Sequence, residues 1–98
     1  MDHSACYMII HGETLDGRRF RPSDWAQRLA GVLSRFRPSH AAENPFSYSP
    51  YAIPGMLDDI PCVFIDYRLR QLEPLAWKFA FDFARSNGLQ ITDDAQMR

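Results

Sequence analysis

The sequence predicts an α+β two-layer sandwich: an antiparallel sheet with two helices on one face. Three observations lead there. Strand-forming runs come in pairs around Asp-containing turns, two longer segments repeat their apolar residues with helical period, and the elements follow one another as ββαββαβ. Setting aside the short second strand leaves β-α-β-β-α-β, the order of a ferredoxin-like variant. A chain of 98 residues makes a single domain. Size scaling buries about 65% of its unfolded surface, enough for a core without metal or disulfide staples. The domain is expected over 6–92, with 1–5 and 93–98 as flexible ends.

Cys6–Thr14 is rich in strand formers. In Leu15-Asp16-Gly17-Arg18 the Asp-Gly pair signals a type I′ turn, whose two central residues need positive φ. Arg19–Arg21 is the return strand, stopped at Pro22, which has no amide to donate. Asp24 is placed to cap the first helix, with Gln27 completing a capping box. Trp25, Leu29, Val32, Leu33 and Phe36 fall at i, i+4, i+7, i+8 and i+11, one apolar stripe. Gln27, Arg28, Ser34 and Arg35 take the wet side, and Asp24 is spaced to pair with Arg28. Gly31 inside this helix implies close packing on a neighbour.

Pro38 ends the helix, and 37–45 reads as a loop. A strand over Phe46–Ile53 contains Pro50 and belongs at a sheet edge; Leu57-Asp58-Asp59 then turns the chain. Pro61–Leu69 is the best strand, with Val63, Ile65, Tyr67 and Leu69 toward the core and Cys62, Phe64, Asp66 and Arg68 away from it. The second helix starts near Glu73 with Pro74 at its first position and runs to Ser86, where Asn87-Gly88 supplies a left-handed cap. Leu89–Thr92 is the last strand. The two halves are alike, with "LDG" and "LDD" at matching places.

Eleven Lys+Arg against twelve Asp+Glu give a net charge of -1, which excludes a generally basic nucleic-acid binder and an acidic disordered tail. With no run of eighteen apolar residues and no readable signal peptide, the expectation is a cytoplasmic domain without membrane attachment. Cys6 and Cys62 are too far apart for CxxC chemistry and are expected to be reduced and partly buried. No Gly-rich phosphate loop, GxSxG, HExxH or metal-spaced Cys/His set occurs, so neither an enzyme, a cofactor nor a metal is expected. His3 could join the N-terminus in a Cu(II) or Ni(II) arrangement, but any chain with histidine third shows this. His40 falls in the loop. His11 shares a strand face with Glu13, and Asp66 could approach from a neighbouring strand; a surface histidine among surface acids accounts for that grouping equally well.

Two patches remain. The cations are ten Arg and one Lys, and Arg21, Arg28 and Arg35 are seven residues apart, a small patch for a phosphate or an acidic partner. The second helix has an apolar arc too wide for one sheet: Leu75, Ala76, Phe79, Ala80 and Phe83 are assigned to the sheet. Trp77, Phe81 and Ala84 are left over, either covered by the first helix or forming a surface for a protein partner or a second copy.

The phrase FRPSDWAQRL at Phe20–Leu29, with "LDG" before it, "YSPY" at Tyr48–Tyr51, the strand Cys62–Tyr67 and "SNGL" at Ser86–Leu89, resembles a small family of uncharacterised proteobacterial proteins, a domain of unknown function marked by an FRPSDWA-type motif. The resemblance implies a shared fold over most of the chain and transfers no catalytic or ligand residue. The expected function is therefore a non-enzymatic protein-interaction or regulatory module. The alternative is a nucleic-acid-binding module using the open sheet face and the arginines, with "CVFIDY" (Cys62–Tyr67) as a loose echo of an RNA-recognition strand.

Overall fold

The computed structural model describes residues 6–36 and 51–94. Along the chain lie β1 (Tyr7–Thr14), α1 (Trp25–Leu33) followed by one 3-10 turn over Ser34–Phe36, β2 (Ala52–Leu57), β3 (Ile60–Asp66), the short α2 (Leu69–Leu72), α3 (Pro74–Ser86) and β4 (Leu89–Asp94). The strands form one antiparallel sheet in the order β2-β3-β1-β4. This is the α+β sandwich the sequence predicts.

Alternation along the strands sorts the side chains into two layers. Met8 and Ile10 of β1, opposite Ile65 and Val63 of β3, face the helices with Ala52 and Leu89. Against them pack Trp25, Leu29 and Leu33 of α1 and Ala76, Ala80 and Ala84 of α3. Trp25 and Leu29 are buried as expected of the α1 stripe, and Ala26 and Ala30 join them. The other sheet face has an apolar centre of its own, Ile9, Cys62 and Phe64, flanked by Tyr7 and Leu57. Gly55 lies under the Phe64 ring, where an added Cβ would come within 2.8 Å of a ring carbon.

Several local expectations are corrected. In the first hairpin Gly17 alone takes positive φ, at 88°. Thr14 donates its amide to the Arg18 carbonyl across a three-residue loop, so this is not a type I′ turn. The return strand shrinks to a single bridge, Glu13 with Arg19. The two consecutive positive-φ residues are instead Asp58 and Asp59, at 52° and 64°, joining β2 to β3. Asp24 makes no side-chain cap; its carboxylate accepts from Arg28 Nε at 2.9 Å, the expected i,i+4 pair. Gly31 has nothing within 4 Å of where a Cβ would stand, so close packing does not require it.

The second strand runs later than expected, over Ala52–Leu57, and keeps its edge position, which accommodates Pro54. The earlier part of the expected strand, with Phe46 and Pro50, lies outside the described residues, as do His3 and His40. β3 ends at Asp66, because Arg68 folds back on that carboxylate and the chain turns into α2, an element the sequence reading lacks. β4 continues to Asp94, pairing Asp93 with Met8 and Asp94 with Tyr7, so the first two residues of the expected flexible end are strand.

Both thiols are free. Cys6 is exposed rather than partly buried, while Cys62 is fully buried, and desolvation pushes its pKa up to about 11. Cys62 is opposite His11, five residues along β1 from Cys6. That is about 17 Å of strand, far beyond disulfide reach.

Candidate partner-binding groove

α3 lies on the sheet by its small residues. Ala76, Ala80 and Ala84 recur at i, i+4, i+8 and are fully buried, which brings the helix backbone close to the strands. The larger side chains are thereby splayed to the flanks. Leu75 and Phe79, assigned by the sequence to the sheet, are 69% and 43% exposed. Trp77 and Phe81, assigned outward, are half-buried against the core, and Ala84 is buried outright. Trp77 sits 5.1 Å from the Tyr67 ring, with the Arg70 guanidinium over both rings. The outward face is thus carried by Leu75 and Phe79, continued by Leu72 of α2 at 51% exposure.

Between α1 and α3 this arrangement opens an apolar groove of about 230 Å³. Its floor is aromatic: Trp25 stacks on Phe83 at 6.0 Å and 15°, and Phe20 stands edge-on to both. Leu29 and Val32 form the α1 wall, Phe79 the α3 wall, and Pro22 and Arg28 complete the lining. The volume is below the roughly 300–1,000 Å³ usual for small-molecule and cofactor sites, and suits a few anchoring side chains. Trp25 is held here by a close approach: a Cβ at Gly12 would come within 2.6 Å of the Pro61 carbonyl oxygen and 2.8 Å of Trp25 Nε1. That indole nitrogen is buried without a hydrogen-bond partner among the described residues.

Arg28 lines the groove, Arg21 directly precedes Pro22 on its margin, and Arg35 follows Val32 by three residues; all three are exposed. Asp24, paired with Arg28, is the carboxylate on this side, while Lys78 and Asp82 of α3 neutralise each other at 2.7 Å.

The opposite side of the sheet is different in kind. A cleft of about 630 Å³ there has His11, Thr92, Glu13, Asp58 and Asp94 among its lining residues. His11 Nε2 and the Thr92 hydroxyl are 2.7 Å apart. Burial lowers the His11 pKa, against the opposing pull of Glu13. Asp66 does not approach this histidine: Arg68 holds it by its backbone amide and by two guanidinium nitrogens, and the side-chain hydrogen bond keeps its pKa below the usual carboxylate range. Phe64, the ring that the Cys62–Tyr67 segment turns to this face, is 1% exposed. On the helix side, by contrast, Tyr67 donates to Asp93, and burial with that bond pushes its pKa up to about 12.

Residues 4–94 match the family described as "Protein of unknown function (DUF3579)". The chain belongs to this family. A solution structure described as the first structural representative of its family superposes with a TM-score of 0.75 at 30% identity, covering 95% of this chain and 84% of that one. No curated protein matches the chain. The FRPSDWAQRL phrase that carries the resemblance supplies Phe20, Pro22, Trp25, Arg28 and Leu29 to the groove. Sequence reasoning missed Phe79 and Leu75 as outward residues. The signal that finds them is the Ala76/Ala80/Ala84 row, since small residues at helical spacing mark the side of closest approach.

Proposed function

We propose that this DUF3579 domain is a non-enzymatic, cytoplasmic protein-interaction module that receives its partner on the helix layer, with Phe79 and the α1/α3 groove as the contact. The observation that carries the reading is the groove itself: an aromatic floor opening beside an exposed Phe79, with Leu75 exposed one turn away on α3. Exposed large apolar side chains that adjoin a pocket supply the buried anchors on which interfaces depend. An exposed free thiol at Cys6 suits a reducing compartment. The acidic cleft and the buried Phe64 weigh against the open sheet face holding phosphates or stacking bases.

The test is a crosslinking pull-down from native cells with the wild type and the Leu75→Ser, Phe79→Ser double variant, alongside sedimentation of both. Partners, or a dimer, lost in the variant while its melting curve is kept support the reading. A monomer whose crosslinked proteins are unchanged by the substitutions overturns it. Binding of RNA or DNA with a steep negative salt dependence would replace it with the nucleic-acid alternative.

A further inference from the structure

Resting on that reading, we propose that the occupant of the α1/α3 groove is an amphipathic helix with acidic flanks. Three observations lead to this chemistry. First, the groove lies between two helices whose backbone groups are engaged internally, away from the sheet edges at β2 and β4. An extended peptide seated there gains no main-chain hydrogen bonds, whereas a helix arrives with its own backbone satisfied and needs to offer side chains alone. Second, Phe79 rises beside an aromatic floor of Phe20, Trp25 and Phe83, and Leu75, one turn before it on α3, is also exposed. Apolar anchors at i, i+4 and i+7 of a docked helix would cover both.

Third, the charge is asymmetric. Arg28 lines the groove, Arg21 directly precedes its Pro22 in the chain, and Arg35 follows Arg28 by seven residues; all three are exposed, and Asp24 is paired to Arg28. The cleft on the opposite sheet face is lined by Glu13, Asp58 and Asp94 among others. An acidic segment is drawn to the helix layer and repelled from the other face. The Asp24–Arg28 pair is solvent-exposed on both sides, at 52% and 71%, so it yields readily to a partner's carboxylate.

A displayed library of amphipathic helices, with apolar positions biased to i, i+4 and i+7 and flanking positions randomised over Glu, Lys, Gln and Ser, tests the proposal. It is selected in parallel on the wild type, on Phe79→Asp and on the Arg28→Glu, Arg35→Glu double variant. The expected result is enrichment of Glu-flanked helices on wild type, loss of those clones on Phe79→Asp, and affinity about tenfold weaker on the charge-reversed variant. Amide-shift changes on adding a selected peptide should map to α1 and α3. Phe79-dependent clones with Lys or neutral flanks overturn the acidic partner while leaving a docking groove. An absence of Phe79-dependent clones overturns both. Adsorption of wild type to phosphatidylglycerol vesicles, lost in Phe79→Asp, overturns the peptide assignment in favour of a membrane surface. Melting curves of the variants confirm that each is folded.

Discussion

α1 and α3 lie on the same sheet face and are held there in opposite ways. α1 buries its large side chains, Trp25, Leu29 and Leu33, and turns polar residues outward. α3 buries alanines and leaves Leu75 and Phe79 in solvent. Burial of the large α1 side chains is worth roughly 25 cal/mol per Å² of apolar surface. α3 trades that area for proximity, and its displaced rings become the wall of a groove. One helix is therefore built as core, and the other is built partly as a surface.

The largest effect should come from the α1 side. Trp25 is 3% exposed, stacks on Phe83 and seats against Gly12. Trp25→Ala should cost about 3–5 kcal/mol, a large share of the stability of a domain this size. Chemical denaturation followed by circular dichroism checks this. A midpoint equal to wild type would mean that α1 is not the core helix.

Next comes Ala80→Leu on α3. If the alanine row sets the helix-to-sheet distance, added methylenes at this fully buried position have nowhere to go. Overpacking of this kind costs about 1–3 kcal/mol. A melt unchanged or raised by the substitution would show slack beneath α3 and dissolve the contrast with α1.

The same contrast explains what the sequence made legible. The class, the order of elements, the edge placement of the second strand and the burial of Trp25 and Leu29 all follow from periodicity and turn residues, which act locally. The rotation of α3 does not. In an arc containing Leu75, Trp77, Phe79, Phe81 and Phe83, the large side chains alone do not say which flank meets the sheet; only the alanine row between them does. The answer depends on the distance allowed by Ala76, Ala80 and Ala84 and on Tyr67 standing ready to take Trp77. α2 was invisible for a related reason. Asp66 and Arg68 read as outward strand residues until their ion pair closes the chain into a turn at 2.7 Å. The Arg patch was legible, whereas its association with a groove needed the third dimension.

The link from β3 into α2 and α3 gives a smaller, pH-dependent effect. Arg68 holds the Asp66 carboxylate and depresses its pKa. A carboxylate whose folded pKa lies below its unfolded one contributes stability that is fully present above the unfolded value, near 3.9, and is lost as pH falls through the folded value. Asp66→Asn should cost about 1–3 kcal/mol at neutral pH and flatten the acid limb below about pH 4. Amide exchange at Arg68, whose N–H donates to Asp66 at 2.8 Å, reports the loss locally. Equal acid limbs for the two proteins would remove the ion pair as the anchor of this corner.

The smallest effect is the one that separates core from surface most sharply. Leu75 is one turn from Phe79 on α3 and 69% exposed. A core leucine cut to a small residue costs about 2–5 kcal/mol, whereas surface changes stay within about 0.5 kcal/mol. Leu75→Ser should fall in the second range, with an unchanged denaturation midpoint, while Leu29→Ser on α1 falls in the first. If Leu75→Ser proves as costly as Leu29→Ser, α3 presents its leucine to the interior after all. The sheet-facing arc read from periodicity would then be restored, and the exposed apolar surface beside the groove would shrink to Phe79. If the stability is kept and association with a partner is lost, the residue has no role in holding the fold, and its exposure is accounted for by the contact it makes.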